Sequence, residues 1–115
     1  MARMSTRLPG AKYKDVFAGG RSLRGRLMSA WVFDLPDAGG KAGVVVSKKT
    51  FHDAVDRNRT KRIMREGFRL ASVGFSHSAA WVLVGRASLR GKRTQDVVDE
   101  LRYLARKGGA LCERS

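Results

Sequence analysis

Arg57-Asn58-Arg59-Thr60-Lys61-Arg62-Ile63-Met64-Arg65-Glu66-Gly67-Phe68-Arg69 is the stretch on which the reading of this chain turns. Wound as an α-helix at about 100° per residue, it divides into two faces. Arg57, Lys61, Arg65 and Arg69 recur at every fourth position, with Arg62 beside them, and Ile63, Met64, Gly67, Leu70 and Ala71 gather opposite. Like charges four residues apart destabilise an isolated helix by about 0.2–0.5 kcal/mol per pair. Only Glu66, four residues after Arg62, offers relief within the stretch, and it is expected to orient Arg62 or Arg59. Solvated helix faces usually mix both signs. A face this uniform implies a polyanionic partner.

The rest of the chain agrees. Of 115 residues, 24 are Lys or Arg and 10 are acidic, a formal charge of +14. That excess bears on partners more than on fold, and nucleic acid leads an anionic membrane surface. No apolar run approaches the ~18 residues of a spanning helix, and the basic N-terminus lacks the apolar segment of a signal peptide. No membrane association is expected. With 43% hydrophobic residues the chain is globular and of one domain's length. The single Cys112 cannot close an internal disulfide, which fits a cytoplasmic location. His52, His77 and Cys112 lack the spacing of metal ligands, so no protein metal site is expected.

Outward from the basic helix, Lys48-Lys49 precede it, Asp53 is its expected N-cap, and it should end near Ala71–Val73. Upstream, residues 1–10 read as a flexible basic arm. Tyr13, Val16 and Phe17 form a short helical stripe, closed at Gly19-Gly20 by glycine's tolerance of the left-handed cap. Alternation from Leu27 to Leu35 predicts a strand with Leu27, Ser29, Trp31 and Phe33 on one face. The Pro36–Gly40 turn then predicts an antiparallel hairpin with a strand at Ala42–Ser47. Downstream, Ala79–Val84 reads as a buried strand, Arg86–Arg93 as a basic loop, and Thr94 as the cap of a last helix. Gly108-Gly109 ends that helix, and residues 108–115 form a tail. The residues alone give at least α-β-β-α-β-α, an α+β sandwich.

Val46-Ser47-Lys48-Lys49, six variable residues, Asp56 and then the Arg57–Arg69 stretch closely resemble the bacterial ribonuclease P protein subunits. Tyr13-Lys14-Asp15-Val16-Phe17-Ala18-Gly19-Gly20, Trp31 and Trp81–Arg86 extend the resemblance over roughly residues 8–107. Ala80 and Ser88 depart from it, where the family often has an acidic residue and a proline. The resemblance implies a single RNA-binding domain over 11–107. Its fold would be α-β-β-β-α-β-α, of the ribosomal protein S5 domain 2-like type, with a left-handed β-α-β crossover against the usual hand. It implies the non-catalytic protein subunit of ribonuclease P, an endonuclease whose RNA removes the 5′ leader of precursor tRNA. Partners would be that catalytic RNA and precursor tRNA, with no obligate protein partner. Mg2+ would be held mainly by the RNA.

Three RNA-contacting regions follow from the resemblance. Arg57, Arg59, Lys61, Arg62 and Arg65 would bond phosphates, for which arginine forks are suited. Asn58 either joins them or makes a local helix-start bond, and Arg69 either joins or is solvated. Tyr13, Phe17 and Trp31 would line a leader-binding cleft with Lys48 and Lys49 beside it, aromatic platforms next to cations being suited to single strands. Arg90, Lys92 and Arg93 would touch RNA or only add to the field. No catalytic residue is expected, because paired general acid–base groups and clustered carboxylates are both missing. The rival readings are a ribosomal or RNA-chaperone protein, a duplex-DNA binder and a protein nuclease.

Overall fold

A computed structural model describes residues 7–35, 37, 39–75 and 78–108. His77, Cys112 and the expected C-terminal tail beyond Gly108 lie outside these residues, as do residues 1–6 of the expected arm. The elements run α1 (Tyr13–Gly19), β1 (Arg21–Arg24), β2 (Met28–Asp34), β3 (Ala42–Val45), α2 (Ala54–Ala71), β4 (Ala79–Gly85) and α3 (Thr94–Gly108). This is the α-β-β-β-α-β-α order. The strand that residue patterns alone did not give is β1, whose Arg-Ser-Leu-Arg is too short and charged to show hydrophobic alternation.

The sheet order is β1-β2-β4-β3, with β3 parallel to β4 and the other pairs antiparallel. The expected β2–β3 hairpin is therefore wrong, because β4 stands between them. The reason is burial. Six of the seven residues of β4 are buried, and a strand so apolar on both faces needs neighbours on both edges. The turn after β2 thus steps across one strand position, held by Leu35 N–H to Ser78 O and Gly40 N–H to Ala79 O, each 2.9 Å.

One face of the sheet carries α2 and α3 over the main core. Met28, Ala30, Val32, Val44, Trp81 and Leu83 meet Met64, Phe68, Val97 and Leu101 there. On α2 the buried set is Thr60, Ile63, Met64, Gly67, Phe68 and Ala71. Leu70, expected among them, is 41% exposed. Asp53 caps α2 as expected, accepting from Val55 N–H at 2.9 Å. Thr94 is the first residue of α3 rather than its side-chain cap; Asp96 accepts from Arg93 N–H at 2.8 Å.

The other face carries α1 and the segment at Leu8. Gly20 ends α1 in an extended conformation at φ −82°, not the left-handed one expected. It is glycine because a β-carbon there would strike the carbonyl oxygens of Val16 and Val32. Leu8 is buried under this layer, and its N–H bonds Ala42 O at 2.9 Å. The expected flexible arm to residue 10 therefore does not hold at Leu8.

Candidate RNA interface

Strand direction decides which loops meet. Parallel β3 and β4 end together, at Val45 opposite Val84, and antiparallel β2 begins there, at Met28 opposite Gly85. The β1–β2 turn, the segment from β3 into α2 and the Arg86–Arg93 loop thus share one end of the sheet. Lys48, Lys49, Arg57, Asn58 and Arg59 are brought to the same end as Arg90, Lys92 and Arg93. Arg24, Arg26 and Arg86 join them, which no periodicity in the sequence indicated.

Among these cations, Arg57, Arg59 and Arg86 are tied to main-chain carbonyls. Arg57 Nη1 donates to Phe51 O (3.0 Å) and His52 O (3.2 Å). Arg59 Nη2 donates to Lys92 O at 3.4 Å, and Arg86 Nη1 to Gly25 O at 3.1 Å. Ser88 Oγ donates to Arg26 O at 2.5 Å. An arginine held by a neutral carbonyl keeps its full charge, whereas one held by a carboxylate is locally neutralised. The loops are cross-linked while the positive field persists.

Along α2, the side chains of Asn58, Lys61 and Arg62 make no hydrogen bond or ion pair among the described residues, and nor do those of Lys48 and Lys49. Arg62 is exposed and Lys61 half-buried. Arg65 turns toward the other layer. Burial lowers its pKa, the charge of nearby Arg7 lowers it further, and Tyr13 opposes both. Its Nε is buried with no acceptor among the described residues. A phosphate on the outer edge of this guanidinium would relieve the repulsion from Arg7. Arg69 differs: Glu66 bonds and pairs with it and raises its pKa. The partner seen for Glu66 on this face is therefore Arg69, not the expected Arg62 or Arg59. That pairing weakens Arg69's claim to RNA.

Arg65 leads to the cleft. Residues in register across a sheet share a face, so two rungs on the α1 side border the cleft. The first is Gly43–Val82–Trp31–Ser22 and the second Val45–Val84–Ser29–Arg24. Helix α1 lies over the first. Val16 is fully buried, and Phe17 meets Trp31 edge-to-face at 5.0 Å and 74° while remaining 41% exposed. The Tyr13 ring covers Gly43, where a β-carbon would collide with it. The second rung stays partly open, with Val45, Val84 and Ser29 half-buried and Arg24 exposed. Tyr13, Phe17 and Trp31 are thus gathered as expected. The floor beyond them, Val45, Val84 and Ser29 with Arg24 at its edge, was missed. Alternation placed Ser29 beside Trp31, but the other three need the strand order.

Gly43 makes Tyr13's position testable. Gly43→Ala is expected to cost about 1–3 kcal/mol, the usual range for overpacking, and to turn the ring aside. Adding Tyr13→Ala should restore much of that loss, because the clashing ring is gone. Thermal denaturation of the two variants decides it; a double variant no more stable than Gly43→Ala would refute the contact.

Of the expected third region, Lys92 and Arg93 are exposed, and Arg90, its side chain half-exposed, reaches back to the 47–51 turn. Its Nη2 donates to Thr50 O at 2.7 Å, its guanidinium lies 4.9 Å over the Phe51 ring, and its Nε is 3.9 Å from Asp56. Among the described residues no group of three or more His, Cys, Asp or Glu stands together to hold a metal ion. No described helix is long and apolar enough to cross a membrane.

Known proteins resemble this arrangement over nearly its whole length. The family model described as Ribonuclease P matches residues 4–108. The ribonuclease P protein component of Clostridium acetobutylicum is 32% identical over 104 residues, covering 88% of this chain and 86% of that protein. That of Clostridium kluyveri is 30% identical, covering 86% and 89%. The Staphylococcus aureus RNase P protein structure superposes with a TM-score of 0.77 at 20% identity, covering 95% of this chain and all of that one. The Thermotoga maritima RNase P protein gives 0.74 at 24% identity, covering 87% and 96%. At those identities the two structures speak for the fold.

Proposed function

The chain belongs to the ribonuclease P protein family, and from that membership we propose that it is the protein subunit of a ribonucleoprotein that removes the 5′ leader of precursor tRNA in the cytoplasm. Its exposed α2 cations bind the phosphates of the catalytic RNA. The leader lies in the cleft beside α1, with bases against Phe17 and Trp31 and its backbone toward Arg24, while Arg65, Lys48 and Lys49 at the border of the cleft serve the catalytic RNA. The observation that carries this reading is that cations without a carboxylate partner among the described residues stand on the same domain as Phe17, 41% exposed, packed edge-to-face on Trp31. Stacking suits a leader of varied sequence, since every base has a π-face.

Among the described residues no three or more His, Cys, Asp or Glu stand together, and in this reading hydrolysis belongs to the RNA. Magnesium in this reading is bound by the RNA. The protein's own residues lower phosphate repulsion and hold the leader in place.

The test is precursor-tRNA cleavage at low magnesium with a ribonuclease P RNA alone, this protein alone and both together, on long-leader and one-nucleotide-leader substrates. Only the mixture should cleave efficiently, with the long leader favoured. Phe17→Ala should remove about 1–3 kcal/mol of that preference, the worth of one stacked base, and leave the short-leader rate near wild type. A mixture no better than the RNA alone would instead favour a ribosomal or chaperone role.

A further inference from the structure

We propose that Arg90 is a positioning residue, a latch that sets the lysine turn and the start of α2 for RNA, and not itself a phosphate contact. This rests on the functional reading above. The turn from Ser47 to Phe51 presents Lys48 and Lys49, and the hydrogen bonds within it all run through Ser47. Its internal bonds are Phe51 N–H to Ser47 O at 2.9 Å, Thr50 N–H to Ser47 Oγ at 3.1 Å and one between the Ser47 and Thr50 hydroxyls. Lysine side chains on a loose turn would lose conformational freedom when they meet RNA, which lowers affinity.

Arg90 restrains this turn from outside. Its Nη2 bonds Thr50 O, and its guanidinium carbon lies 4.9 Å from the ring centroid of Phe51, which is itself fully buried. The main-chain carbonyl of Phe51 accepts from Arg57, the first arginine of the α2 face. One side chain thus joins the loop after β4 to both the lysine turn and the basic helix. The loop is firm at its other end, through Arg86 to Gly25 O and Ser88 to Arg26 O. Arg90 needs a planar fork to donate and to stack together; an ammonium group cannot do both from one position.

Arg90→Lys separates the two roles because it keeps the charge and removes the fork. In the RNA-free protein, amide exchange at Thr50 and Phe51 should accelerate in Arg90→Lys. Affinity for a bacterial ribonuclease P RNA should fall roughly tenfold, on the order expected for one charge-assisted hydrogen bond, with the log–log salt slope unchanged. Lys48→Ala with Lys49→Ala should then cost much less in the Arg90→Lys background than in wild type. Phe51→Leu, which preserves most of the core volume, should reproduce the exchange result. The proposal is overturned if Arg90→Lys binds RNA like wild type while Arg90→Ala is weak, or if the two amides exchange as in wild type. If wild-type protein itself fails to bind that RNA, the functional reading falls, while the exchange measurements still judge the latch.

Discussion

Replacing Lys61, Arg62 and Arg65 together with alanine is expected to weaken binding to a ribonuclease P RNA by about two to three orders of magnitude. That size follows from losing three charge-assisted contacts, discounted for their solvent exposure. Each phosphate contact contributes about 0.7 to the slope of log affinity against log salt on single strands. About six contacts give a wild-type slope of roughly −4 by that rule, and the triple variant should flatten it by about 2. Stability should move the other way. Lys61 and Arg65 are four residues apart on one face, so their removal lifts a repulsion of about 0.2–0.5 kcal/mol. A protein that binds RNA far more weakly while melting no lower is the signature of a face built for a partner. Arg69→Ala is the internal comparison, with a smaller loss expected because Glu66 already engages that guanidinium. Titrations over a range of salt read both quantities, and an unchanged slope in the triple variant would refute the interface.

Trp81→Ala is expected to destabilise the fold by about 3–5 kcal/mol, the range for deleting a large buried aromatic. Against a typical total of roughly 5–15 kcal/mol this is a large share. Trp81 is fully buried at the centre of the sheet, opposite Val32 on one side and Ala42 on the other. Phe75 stacks on it at 4.9 Å and 22°, and Phe68 of α2 meets its edge at 6.1 Å and 62°. Removing the indole therefore leaves a cavity directly beneath the basic helix, so RNA affinity should fall along with stability. Trp81→Phe gives the contrast. It keeps an aromatic ring and deletes Nε1, a buried donor without an acceptor among the described residues, so the lost volume is partly offset. Its net cost should be about 1 kcal/mol. Chemical denaturation of both variants checks the pair; an alanine variant within about 1 kcal/mol of wild type would contradict this packing.

Much of the candidate interface's geometry was legible before any coordinates. The α2 face, the aromatic stripe of α1 and the position of Trp31 each follow from periodicity, which a helix or strand carries within its own sequence. The Asp53 cap was legible for the same reason, since a capping side chain bonds only two or three residues away. The long arginine motif carried the family and, with it, the third strand that composition hid.

What the tertiary structure decided has a common physical cause: it depends on which distant backbone comes near. Inserting β4 between β2 and β3 settled that Arg24, Arg26 and Arg86 share an end with Lys48 and Arg57, because strand pairing is a non-local hydrogen-bonding choice. It also determined the fate of individual cations. Arg62, Arg65, Arg69 and Arg90 are chemically equivalent in the sequence. In space one is exposed, one is pressed toward Arg7 and Tyr13, one is paired with Glu66, and one is latched to Thr50 and Phe51. Gly20 was recognisable as a helix end, but the reason for glycine there is the approach of Val16 and Val32 carbonyls. The sequence by itself determined that this chain is a basic RNA-binding α+β domain with a cationic helix and an aromatic stripe. Only the packed sheet decided which of its charges remain open to RNA and which hold the surface in shape, because that depends on the carbonyl or carboxylate that folding sets beside each one.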